Sequence, residues 1–140
     1  MITTSKPLRH RRAAAVPHTP EATYIYVVDD QEAVAELYTI FLEANGYSVR
    51  SFTDRAEALA ALIMDEQKPD LLITDYVGLS MPIAGFIHHC RAAHPELRVL
   101  MASGCHEAEV DFVHPMPDRF IQKPFTAEEL RQEVRAALAA

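Results

Sequence analysis

Short runs of β-branched and aromatic residues alternate with amphipathic stretches along most of this chain. That alternation limits the fold more than any other feature. YIYVV (24–28), SVRSF (48–52), DLLIT (70–74), RVLMAS (98–103) and RFIQ (119–122) read as five strands. The stretch after the first strand repeats Val34, Leu37, Tyr38, Phe41 and Leu42 at helical spacing and stops at Asn45-Gly46, a left-handed cap. DRAE, with Asp54 and Glu57 as a capping box, opens a second helix through Leu59, Leu62 and Ile63. A third spans about 83–93 and ends before Pro95. A weak fourth spans 105–113, cut short by Pro115 and Pro117. The last carries a Thr126/Glu129 capping box and apolar Leu130, Val134 and Leu138. Five strands joined by helical crossovers imply a parallel sheet covered on both faces: an α/β, doubly wound, five-stranded fold. A chain of 140 residues, 49% apolar, supports one such core and not two.

Charge divides the chain. Residues 1–20 hold Lys6, Arg9, Arg11 and Arg12 and no acid, so the other 120 carry 9 basic and 20 acidic residues, a balance of −11. We read 1–22 as a flexible basic tail and 23–140 as the domain. The overall charge of −7 argues against a general nucleic-acid binder, and none is expected as a partner. No apolar run approaches the ~18 residues of a membrane span, and Cys90 and Cys105 lack a pairing or metal spacing. A cytoplasmic protein with no membrane partner is the expectation.

The strand ends carry the chemistry. The first closes on Asp29-Asp30, the third on Asp75, the fourth on Ser103 and the fifth on Lys123, whereas the second, at Phe52-Thr53, offers no strong group. Open parallel sheets bind ligands beyond the carboxyl ends of their strands. Two carboxylates ~4 Å apart repel by on the order of 4 kcal/mol at an effective dielectric of ~20, so three converging carboxylates call for a cation. Hard oxygen ligands suit Mg²⁺ rather than zinc. A lysine and a hydroxyl beside that ion suit a phosphoryl group, with Asp75 as the carboxylate nucleophile of an acyl phosphate.

VVDD, PDLLITD, VLMASG and FIQKPFTAEEL, in that order, resemble the receiver domain of bacterial two-component response regulators over about 23–139. The resemblance implies a flavodoxin-like strand order of 2-1-3-4-5. It implies a phosphorylation-controlled switch in which Asp75 takes a phosphoryl group from the phosphohistidine of a histidine kinase or histidine phosphotransfer protein. Asp29, Asp30, Asp75 and the Val77 carbonyl would hold Mg²⁺. Lys123 would bind the phosphoryl group, across a cis Lys123-Pro124 bond. Ser103 and Phe120 would be the switch pair. The fourth helix, fifth strand and fifth helix would meet a downstream protein. Such a domain is not an enzyme beyond assisting its own phosphotransfer and dephosphorylation.

The chain departs from the family after Asp75, where YVGLSMPIAGF has Gly78, Leu79 and Ile83 at positions usually held by a bulky apolar residue, proline and glycine. A glycine there leaves the loop without a packing side chain. The closing segment is also similar to receivers fused to hybrid histidine kinases. The start at Met1 and the stop after the last helix lead us to expect a stand-alone receiver, with monomer and homodimer both open. Two alternatives stand: a phosphorylation-independent docking module on the same fold, and an aspartyl-phosphate phosphatase. The second would need an Asp-x-Asp pair, where this chain has adjacent aspartates. In HHCRAAH only Cys90 and His94 share i,i+4 spacing, so exposed helix residues are expected rather than a metal site.

Overall fold

The computed structural model describes residues 22–77, 81–104 and 116–140. Five strands, β1 (Tyr24–Val28), β2 (Ser48–Phe52), β3 (Leu71–Asp75), β4 (Arg98–Ser103) and β5 (Arg119–Gln122), form one parallel sheet in the order β2-β1-β3-β4-β5. The helices are α1 (Glu32–Ala44), α2 (Arg55–Met64), α3 (Ile83–Ala93) and α4 (Ala127–Ala139). The expected weak helix at 105–113 lies outside the described residues, as do most of the tail, Gly78, Leu79 and Cys105.

Side chains alternate across the strands, so the sheet divides the core in two. Tyr26, Leu72, Val99 and Met101 meet Leu62 of α2 and Phe86, Ile87 and Cys90 of α3 on one face. Ile25, Ile73 and Leu100 meet Ala35, Tyr38 and Leu42 of α1 and Leu130 and Val134 of α4 on the other. Both faces are covered by helices, which is why β1 and β3 read as unbroken apolar runs rather than alternating ones.

Gly46 takes φ 93° at the end of α1, the left-handed conformation expected there. Thr126 accepts from the Glu129 N–H at 3.0 Å while Glu129 accepts from the Thr126 N–H at 2.9 Å, so that capping box forms. The Asp54/Glu57 box does not, because the Asp54 side chain makes no cap hydrogen bond. The extended Asp54 backbone still starts the helix, its carbonyl accepting from Ala58 at 3.1 Å. Leu37 and Ile63, expected on apolar stripes, are exposed, since each helix buries a narrower arc than the spacing suggested. Cys90, expected on a solvated face, is buried in the core, and burial pushes its thiol up to about 12.

Candidate functional site

The strand register assembles the rim. Val28 pairs with Thr74, so Asp29 emerges beside Asp75. Asp75 pairs with Ala102, and Ser103 follows it. Ser103 pairs with Gln122, and the Lys123 N–H donates to the Ser103 carbonyl at 2.7 Å. Residues up to 94 positions apart in the chain thereby share one edge.

One carboxylate oxygen from each of Asp29, Asp30 and Asp75 lies within 4.8 Å of the others. Asp29 is buried, Asp75 half-buried and Asp30 exposed. The Lys123 ammonium stands 3.4 Å from both Asp29 Oδ2 and Asp75 Oδ1. Asp29 Oδ1 also accepts from the Gln31 N–H at 2.9 Å, which turns this carboxylate toward the start of α1. Burial raises the Asp75 carboxyl above the ordinary carboxylate value; Lys123 opposes that, and Asp29 and Asp30 reinforce it. The cluster thus has more negative charge than Lys123 alone neutralises. Its spacing fits a small divalent ion, since two opposite oxygens at ~2.1 Å from an ion lie ~4.2 Å apart.

Ser103 is fully buried as the last residue of β4. Phe120, on β5, is half-buried against the core face that holds Phe86 and Met101. Val77 follows Asp75 by two residues with an exposed side chain. Lys123-Pro124 is cis, as the resemblance implied.

Two neighbours of this site were not apparent from the sequence. Arg55, the first residue of α2, is 4% exposed and donates to the carbonyls of Asp75, Tyr76 (3.0 Å) and Met81 (2.6 Å). The rim near β2 therefore does carry a strong group, two residues beyond Thr53. The available signal was a cation in the first helical turn, where the helix dipole disfavours it. Tyr38 of α1 is buried with its ring tilted against Phe125, centroids 5.7 Å apart, and its hydroxyl has no hydrogen-bond partner. Burial raises that phenol, and the charges of Asp29 and Asp75 raise it further.

Residues 25–135 match the response regulator receiver domain family. The chain is 30% identical over 130 residues to the probable transcriptional regulatory protein TcrX of Mycobacterium tuberculosis, an alignment covering 91% of this chain and 53% of that protein. It is 34% identical over 118 residues to the DNA-binding response regulator MtrA of Mycobacterium leprae, covering 81% and 50%. The chain thus spans about half the length of these curated relatives. A CheY-like receiver domain protein from Methanospirillum hungatei superposes with a TM-score of 0.77 at 21% identity, over 85% of this chain and 95% of that one. A receiver protein from Sinorhizobium medicae gives 0.77 at 24% identity, over 87% and 98%.

Proposed function

This chain belongs to the response regulator receiver domain family, and from that premise we propose that Asp75 is its phosphoacceptor. The observation that carries the proposal is the Lys123 ammonium bridging Asp29 and Asp75 at 3.4 Å on each side, inside a three-carboxylate cluster. The domain is the receiver of a two-component system, a phosphorylation-controlled switch.

In the proposed reaction an Asp75 carboxylate oxygen attacks the phosphorus of a phosphohistidine. A P–O bond forms, the P–N bond breaks, and the imidazole leaves with a proton from solvent. Lys123 holds the phosphoryl oxygens by charge, as an ammonium does well. Mg²⁺ on Asp29, Asp30, Asp75 and the Val77 carbonyl would neutralise further phosphoryl charge. The acyl phosphate would carry about 1.5 to 2 negative charges at pH 7 in place of the single charge of the Asp75 carboxylate, on a rim already rich in carboxylates. Ser103 would turn its hydroxyl toward that group, and Phe120 would move into the space released. Phenylalanine suits the inward position because it has no hydroxyl to leave unsatisfied.

We assign residues 23–140 to this domain and 1–22 to a tail. The partners we propose are a histidine kinase or phosphotransfer protein upstream and a protein target downstream, reached through β5 and α4. DNA binding is a property named for the longer MtrA relative, and no nucleic-acid contact is assigned to this domain.

Incubation with Mg²⁺ and acetyl phosphate tests the assignment. Wild type should gain the mass of one phosphoryl group and Asp75→Asn should not. A wild type that gains nothing supports the docking-module reading instead. Hydrolysis of a phosphate ester in excess over protein would support a phosphatase.

A further inference from the structure

Arg55 is an unusual residue to find buried. The helix dipole makes the first turn of α2 positive, and burial lowers the guanidinium pKa despite the carboxylates of Asp75 and Asp30 nearby. An uncompensated buried charge is costly, so its partners show what it is there to hold. The three hydrogen bonds run to backbone carbonyls on either side of residues 78–80 in the chain: Asp75 and Tyr76 before them, Met81 after them. Beneath the guanidinium lies the Phe86 ring of α3, 5.9 Å from Arg55 Cζ to the ring centroid. The planar fork reaches two separated carbonyl groups at once, which a lysine ammonium does less well.

We propose that Arg55 is a positioning residue for phosphorylation: its fork ties the backbone at Asp75 and Tyr76 to that at Met81 and so fixes the phosphoacceptor and the adjoining Val77 carbonyl before any divalent ion binds. The intervening sequence includes Gly78, which has no side chain. Arg55 supplies the anchor from α2 instead. The Asp75 carbonyl is one of its acceptors, so the backbone beneath the acceptor carboxylate is held directly. With the Asp75 and Tyr76 carbonyls both engaged, the Val77 carbonyl is the next acceptor along the chain to meet a cation. The clamp also sets a fixed positive charge behind the cluster, within reach of Asp75 and Asp30.

This inference rests on the assignment of Asp75, and the test separates the two. Arg55→Lys keeps the charge and loses the fork; Arg55→Met loses both. The first measurement is amide hydrogen exchange at Tyr76, Val77 and Met81 without Mg²⁺, which needs no phosphorylation. Exchange there should quicken at least roughly tenfold in Arg55→Lys relative to the β1 amides. The second is the rate of phosphorylation by acetyl phosphate at saturating Mg²⁺, which should fall roughly tenfold to a hundredfold, as a misplaced reacting group does. A purely structural role would lower Tm and leave the rate of the folded fraction unchanged. Unchanged exchange in Arg55→Lys overturns the clamp, and a wild-type rate in that variant overturns the positioning role. If Arg55→Met does not fold, Arg55→Lys carries both measurements. A wild type that is never phosphorylated overturns the Asp75 assignment and with it the positioning role, while exchange still decides the clamp.

Discussion

The two ends of the parallel sheet use aspartate in opposite ways. At the amino end, Asp70 and Asp118 each stand just before a strand and grip its neighbour. The Tyr24 N–H donates to Asp70 Oδ2 at 2.9 Å, while the Asp70 N–H donates to the Tyr24 carbonyl at 2.7 Å. Asp118 repeats the pattern with Val99, at 2.7 Å and 2.8 Å, and adds Arg91 at 3.0 Å. At the carboxyl end, Asp29, Asp30 and Asp75 face one another, with Lys123 between two of them. The first arrangement satisfies each carboxylate with backbone N–H groups and locks strand starts. The second leaves negative charge in excess, which costs stability and creates affinity for a cation.

This contrast predicts opposite responses at the two ends. Mg²⁺ at a hundred times its Kd should stabilise wild type by ~2.7 kcal/mol, seen as a higher Tm. The gain should largely vanish in Asp30→Asn and be kept in Asp118→Ala. If both variants respond alike, the cation does not bind at the acidic rim. Asp118→Ala should next cost about 1 to 2 kcal/mol in urea unfolding, from a charge-assisted bond to a buried N–H, discounted for its partial exposure. A neutral result would mean that the amino-end pattern is not structural.

Asp75→Asn should act in the other direction and raise Tm at pH 7 in the absence of metal. The sign follows from its raised carboxyl, which makes the folded state hold its proton to higher pH than the unfolded chain does. The associated stability is fully present below the ordinary 3.8 and is lost as pH rises through the raised value. The variant's advantage should therefore be present at neutral pH and disappear below pH 3.8. A variant that melts lower than wild type at pH 7 would show that Lys123 outweighs burial and the two neighbouring aspartates.

The smallest effect belongs to Tyr38→Phe. Removing a buried hydroxyl that has no partner should be neutral or stabilising by less than ~1 kcal/mol, measured by urea unfolding. A loss above that would show that the hydroxyl is satisfied in solution, by a water under the acidic rim.

Much of this arrangement was legible in the chain. The five strands fall where β-branched runs fall, and the carboxyl-end residues were found because parallel strands must all end on one side. The amino-end aspartates were not: Asp70 reads as the first residue of its strand and Asp118 as part of the connection before one, until the neighbour each grips is known. The capping box at Thr126 formed while the one at Asp54 did not, though both have the same spacing. Leu37 and Ile63 fit a helical period yet face outward, because period fixes a helix and not which arc of it meets the sheet.

By itself the sequence determined the described strands and helices, the parallel pairing and the five polar residues at the strand ends, because hydrophobic period and chain direction are local properties. The tertiary structure alone decided that Arg55 lies buried against backbone carbonyls about 20 residues downstream and that the buried Tyr38 hydroxyl is left unpaired. Desolvation and charge act across space, and the partners that set their balance are distant along the chain.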